Sequence, residues 1–182
     1  DEQRAQVLQA LRCATPFDLV VVGGGATGLG IALDAALRGL RVALVERGDF
    51  GQGTSSRSSK LVHGGVRYLA QGNFALVHEA LRERGNLLAN APHIVQPLGF
   101  VMPAYSAWHI PFYGTGLAAY DLLAGKAGIR RTRLMGPAKV RKLLPTVRPE
   151  GLLGGIAYWD GQFDDARLAV ALARTAQLHG AV

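Results

Sequence analysis

The sequence predicts an α/β fold built on a parallel sheet, and three observations carry that prediction. A β-rich apolar run from Phe17 to Val22 leads into a glycine turn. A small-residue stripe of Gly28, Ala32, Ala35 and Ala36 follows at helical spacing. A second apolar run then ends on Glu46, completing a strand–helix–strand unit. Within it Gly23, Gly25 and Gly28 form G-x-G-x-x-G. That spacing suits a dinucleotide: one glycine makes a tight turn, one lets the backbone approach a pyrophosphate, and one lets the helix pack closely on the strand. The helix start aims its free amides and positive dipole end at phosphate, so Gly23, Gly24, Gly25, Ala26, Thr27 and Gly28 are the expected contacts. Glu46 lies 18 residues past Gly28, near the roughly 20 expected of an acid that holds ribose hydroxyls. Arg47, beside it, joins the candidate cofactor residues.

The other elements follow in chain order. Residues 1–16 carry no basic-then-apolar leader pattern and read as a short helix that stops before Pro16. After Glu46 a nicotinamide domain would continue into another strand–helix repeat. Here the chain runs into RGDFGQGTSSRSSKLVHGGVRYL, rich in Ser and Gly and without a strand-like run. Such a segment lays hydroxyls and amides along a long anionic ligand: Thr54, Ser55, Ser58 and Ser59 are the hydroxyl donors, while Gly64 and Gly65 let the backbone approach a flat ring. Asn73 to Asn90 reads as an amphipathic helix with Val77, Leu81 and Leu88 inward and Glu79, Arg82, Glu83 and Asn86 outward. Residues 98–104 read as a short strand whose hydrogen-bonded part ends at Pro103. Residues 108–125 read as helical near their end. Their aromatic residues Trp108, Phe112, Tyr113 and Tyr120 leave two readings open, a core helix or an interfacial membrane element. Gly154 to Trp159 reads as a strand, and Asp164 as the cap of a helix from Asp165 to His179 with Gly180 at its end.

Composition narrows the function classes. Cys13 is the single cysteine, so no internal disulfide forms and a reducing compartment is expected. No window reaches the roughly 18 apolar residues of a membrane span. Net charge is +7, and residues 122–149 concentrate it: Lys126, Arg130, Arg131, Arg133, Lys139, Arg141, Lys142 and Arg148 occur there with no acid. A solvated face, an anionic membrane surface and a phosphate-attracting field are all compatible with that block, and no nucleic-acid motif accompanies it. His78, His93, His109 and His179 lack metal-ligand spacing, and no metal is expected. Asp160, Asp164 and Asp165 are the one acidic cluster, with a helix cap accounting for Asp164 and Asp165 left open between cap and cleft.

Three stretches together, VGGGATGLGIALDAALRG with Asp34, Arg38 and Gly39, then TSSRSSKLVHGGVRYL, then YWDGQFDDARL, resemble the FAD-dependent glycerol-3-phosphate dehydrogenases and the related glycerol-3-phosphate oxidases. The likeness runs from Phe17 to Val182, and Leu29 departs from it where the family has a small residue. The resemblance implies FAD as cofactor and a Rossmann-like FAD-binding domain of the glutathione-reductase and D-amino-acid-oxidase type, incomplete here, with the start of a substrate or cap region. It implies an N-terminal helical extension at 1–16, the first part of the FAD-binding domain at 17–98, a substrate or cap segment at 99–160, and a return to the FAD-binding domain at 161–182, where a further strand should begin.

It further implies that Ser58, Ser59, Lys60, Leu61, His63, Gly64 and Gly65 line the flavin, with Lys60 and His63 able to polarise the ring or hold its phosphate. Arg67 and Tyr68 lie near the substrate phosphate, where Arg67 offers a planar fork of donors and Tyr68 one hydroxyl. The implied reaction oxidises sn-glycerol 3-phosphate to dihydroxyacetone phosphate and passes electrons to a membrane quinone or to oxygen. The catalytic base and further phosphate-binding cations are expected later in a longer protein, leaving this piece as a cofactor-binding module by itself. The expected location is cytoplasmic, peripheral on the inner face of the cell membrane; a homodimer of the full-length protein stays open.

Overall fold

The computed structural model describes residues 2–12, 15–69 and 71–182, with the side chains of Glu2, Gln3 and Arg67 outside that description. Cys13 lies outside the described residues. The described chain forms two compact units, one from residues 1–60 with 164–182 and one from 61–163.

In the first unit α1 (Glu2–Leu11) precedes β1 (Leu19–Val22), α2 (Ala26–Leu37) and β2 (Val42–Val45). β1 and β2 are parallel, with Leu19 opposite Val42 and Val22 opposite Val45. Parallel neighbours need a crossover, and α2 supplies it. Its buried stripe is Leu29, Ala32, Ala35 and Ala36. Ala32 and Ala35 meet Val21 and Val42 in the core of this unit, and each fully buried valine contributes about 1.5–3 kcal/mol. Leu29, where the resembling family is small, is 1% exposed and lines an apolar hollow with Phe50, Val170 and Ala173. That hollow accommodates the larger side chain. α6 (Asp165–Leu178) packs against α2, Gly180 turns at φ +92°, and the chain returns to β2. There the Val182 amide donates to the Val42 carbonyl at 2.9 Å and the Leu44 amide to the Val182 carbonyl at 2.7 Å. The carbonyls of Arg41 and Val45 accept instead from Leu19 and Gly23, on the β1 side. Backbone groups alternate along a strand, so Val182 sits on the opposite edge of β2 from β1.

The second unit is built on β6 (Gly154–Phe163), which pairs antiparallel along its whole length with β4 (Val95–Ala104). β3 (Leu61–Val62) and β5 (Arg133–Met135) share its other side, near its two ends. Phe100 and Tyr158, opposite one another, stack with centroids 5.1 Å apart. α3 (Phe74–Asn90) packs on α4 (His109–Ala124), and α4 on β6. Val77, Leu81, Tyr120 and Ala124 form the buried centre. The short α5 (Pro137–Leu143) buries Val140.

The compact units divide at 60/61, where β3 begins and its pairing with β6 ties residues 61–98 to the antiparallel sheet. Three expectations are corrected. The Ser/Gly stretch does contain a strand, since Leu61 and Val62 are just long enough to pair with Gln162 and Gly161. Pairing of β4 does not stop at Pro103 but runs to Ala104. β4 is an edge strand, and Pro97 and Pro103, six residues apart, share the alternation that needs no inward amide. α4 is helical from its first turn, where Pro111 falls among amides that have no partner in any helix. The cap at Asp164 stands as expected, its Oδ1 accepting from the Arg167 amide at 3.0 Å, and Asn73 is the cap of α3, its Oδ1 accepting from the Leu76 amide at 3.2 Å.

Candidate cofactor site

The turn from β1 into α2 needs its glycines for conformation at one position and for close packing at others. Gly23 holds φ +111°, a region closed to most side chains. A Cβ on Gly28 would lie 2.0 Å from the Gly23 carbonyl oxygen, so helix and turn touch through backbone alone. Gly24 is equally constrained, since a Cβ there would meet the Phe50 ring at 2.6 Å and Glu46 at 3.1 Å. Gly25 stands at the N-cap without a side chain to close the helix end. The half-buried Ser55 reaches across instead, its Oγ accepting the Ala26 amide at 2.9 Å. Thr27 is exposed beside it.

Glu46 follows directly on β2. One carboxylate oxygen accepts from the Gly24 amide and the other from the Gly48 amide, each at 2.7 Å. Those amides, Gly48 foremost, hold its pKa below the ordinary carboxylate range. An ionised carboxylate accepts only, and each oxygen keeps a free lone pair for a hydroxyl donor. This open helix end beside an anchored acceptor fits an adenine dinucleotide. Arg47, Thr54 and Ser59 are exposed, with Thr54 opening a single 3₁₀ turn over Thr54–Ser56.

Ser58 and Lys60 are both engaged by Asp165. The Ser58 amide and hydroxyl donate to one oxygen of Asp165, at 3.0 and 2.6 Å, and the Lys60 ammonium pairs with the other while also donating to the Ser56 carbonyl at 3.0 Å. Lys60 is bent to φ +62°, unusual for a residue with a side chain. Asp165, 4% exposed in the first turn of α6, is therefore the anchor of this loop. Lys60 first and Ser58 second hold its pKa well below the ordinary range. The Asp-Asp pair after β6 was the available signal: one acid caps the helix, and the second was free for another task.

In the second unit, Leu61 is half-buried in β3 and His63 is exposed. The Gly65 amide donates to His63 Nδ1 at 3.0 Å. Gly65 needs its glycine for φ +69°. Gly64 is glycine because a Cβ would lie 2.5 Å from both Leu81 and the Tyr120 hydroxyl, which makes it a packing position against the core and not only an approach point. Tyr68 is 43% exposed. The Arg67 side chain, assigned to substrate phosphate, lies outside the described residues.

Behind this turn lies a buried polar group that the sequence did not reveal. The Gly64 amide donates to the Tyr120 hydroxyl at 2.8 Å, the hydroxyl donates to Asp160 Oδ2 at 2.8 Å, and Arg84 Nη1 donates to Asp160 Oδ1 at 2.9 Å. Arg84 Nη2 closes on the Ala127 carbonyl at 3.1 Å. Burial, and secondarily Asp160, push the Tyr120 phenol far above its usual pKa. Arg84 sits at helical spacing from Val77 and Leu81, so its inward face was legible, but a charged side chain there has no local explanation.

Residues 18–182 match the model of the FAD dependent oxidoreductase family. The chain belongs to that family. Among its relatives, the mitochondrial glycerol-3-phosphate dehydrogenases of Homo sapiens and Rattus norvegicus are 46% and 45% identical over 98% of this chain. The enzyme of that name from Saccharomyces cerevisiae is 43% identical over the same share. The chain spans 25–28% of the length of these relatives. A Bacillus halodurans glycerol-3-phosphate dehydrogenase solved with FAD superposes with a TM-score of 0.71 at 32% identity, over 99% of this chain and 28% of that one. The L-alpha-glycerophosphate oxidase of Mycoplasma pneumoniae, at 20% identity and TM-score 0.68 over 91% of this chain and 43% of that one, shares the fold. For an FAD dependent oxidoreductase the glycine turn and Glu46 are where an adenine dinucleotide is expected to begin.

Proposed function

We propose that this chain binds FAD and belongs to an enzyme that oxidises sn-glycerol 3-phosphate to dihydroxyacetone phosphate, delivering electrons to a membrane quinone. The observation that carries the reading is the pairing of an open α2 N-terminus with a Glu46 carboxylate fixed by two amides. The dehydrogenases similar to the chain over nearly its whole length add the substrate. In this reading the amides of Gly25, Thr27 and Gly28 hold the pyrophosphate and Glu46 accepts from the ribose hydroxyls, with Arg47, Thr54, Ser55 and Ser59 along the same ligand. Leu61, His63, Gly64 and Gly65 face the flavin, and Ser58 and Lys60 serve it through the loop they brace on Asp165. Arg67 and Tyr68 bind the substrate phosphate. FAD, when bound, supplies the acceptor for the hydride that leaves the alcohol carbon.

The same reading places the protein peripherally at an anionic membrane, on its cytoplasmic face. The acid-free block at 122–149 supports it. So does α4 with the residue that precedes it: Trp108, Phe112 and Leu122 are 69%, 54% and 83% exposed. Leu122 lines a groove with Ile110, Pro111, Arg130 and Arg131. Among the described residues no helix is long and apolar enough to cross a membrane.

The test is anaerobic addition of glycerol 3-phosphate to the purified full-length enzyme. Bleaching of a flavin spectrum, restored by a quinone analogue, is the expected result. A flavin that stays oxidised removes the substrate assignment, and recovery by oxygen with peroxide in place of quinone reduction moves the acceptor to oxygen.

A further inference from the structure

The core of the second unit spends three polar side chains where apolar ones would pack as well. Tyr120 and Arg84 are each 1% exposed and Asp160 3%, amid Val77, Leu81 and Ala124. A buried ion pair of this kind adds little net stability over a hydrophobic replacement. Among the described residues Arg84 even leaves its Nε without a hydrogen-bond partner. What the network does accomplish is directional. Arg84 fixes Asp160, Asp160 accepts the hydrogen bond that the Tyr120 hydroxyl donates, and the phenol oxygen is thereby left with its lone pairs toward the Gly64 amide. Gly64 is pinned from a second direction, since its Cα rests against Leu81 with no room for a methyl group. The next residue, Gly65, is in the left-handed region, and its amide donates to His63 Nδ1. Accepting at Nδ1 leaves the ring proton on Nε2, so the exposed His63 presents an N–H donor.

We propose that Tyr120 is a positioning residue: through the Gly64 amide it sets the Gly64–Gly65 turn and, with it, the direction in which His63 presents its Nε2 donor to the flavin. The proposal rests on the FAD reading above. Its test compares wild type and Tyr120→Phe in the full-length enzyme, where the ring is kept and only the hydroxyl is lost. The expected result is an enzyme that retains FAD but shows a shifted flavin absorption band and reduction potential. Its kcat should fall about tenfold, the scale of one lost hydrogen bond, with KM for glycerol 3-phosphate changed less than about twofold. A purely structural tyrosine would lower the melting temperature and leave spectrum, potential and kcat at wild-type values, and that outcome overturns the proposal. If Tyr120→Phe does not fold, 3-fluorotyrosine at position 120 keeps ring and hydroxyl while weakening the oxygen as an acceptor. It should shift spectrum and kcat in the same direction, and an unaltered spectrum and kcat overturns the proposal equally. A wild-type enzyme without bound flavin removes the FAD reading and this proposal together, whereas a flavin-bearing wild type matched by its variants removes the proposal alone.

Discussion

The glycine turn of the first unit and the glycine turn of the second are held from different sides. At Gly28 the obstacle to a side chain is the turn's own backbone: the Cβ position lies 2.0 Å from the Gly23 carbonyl oxygen. At Gly64 the obstacles are side chains from α3 and α4, Leu81 and Tyr120, each 2.5 Å from where a methyl group would stand. The first turn is therefore self-contained, and its requirement is written in the local spacing of glycines. The second is imposed by a core assembled from distant parts of the chain. A backbone clash has nowhere to relax, while a side-chain clash can be relieved by repacking.

That contrast can be broken by substitution. Gly28→Ala is expected to have the largest effect, costing about 3 kcal/mol or more and abolishing flavin retention, with no second substitution able to restore it. Denaturant melts and gel filtration of the full-length protein check this. Gly64→Ala should cost about 1–3 kcal/mol, and Leu81→Ala in the same protein should recover part of that loss. A double variant no better than the sum of the singles would mean that the turn, and not the core, dictates glycine at 64.

Glu46→Ala tests the first turn by its ligand. It should weaken FAD binding by about tenfold or more while leaving the second unit's packing untouched, and titration of the apoprotein with FAD measures it.

The two anchoring networks should also fail at opposite ends of the pH scale, a smaller effect that sharpens the comparison. Asp165 has a folded pKa below its unfolded value of about 4, so its contribution is present above that pH and is lost as pH falls further. Tyr120 has a folded pKa above its unfolded value of about 10, so its contribution is present below that pH and declines as pH rises past it. Asp165→Asn should flatten the acid limb of the stability profile and Tyr120→Phe the alkaline limb. Thermal melts across pH, with both limbs unchanged by either variant, would count against the assignment.

Much of the first unit is legible in the residue pattern alone. Hydrophobic strands flanking G-x-G-x-x-G, an alanine stripe at three- and four-residue steps and an acid at the end of the second strand are consequences of helix and strand periods, which act over a few residues. The caps at Asn73 and Asp164 are legible for the same reason, each bonding an amide three residues on. The length of β4 is not, because Pro103 breaks a strand only where its missing amide is needed, and the edge position of β4 is a property of the sheet.

The sequence by itself determined the parallel strand–helix–strand unit, its glycine turn and the FAD dependent oxidoreductase family, since each rests on residue types at fixed local spacing. Only the tertiary structure decided that Asp165 braces Ser58, 107 positions away, and that Arg84, Tyr120 and Asp160 converge behind Gly64, with Arg84 and Asp160 separated by 76 positions. A buried charge is tolerated only where partners from elsewhere in the chain meet it, and no local pattern records which partners those are.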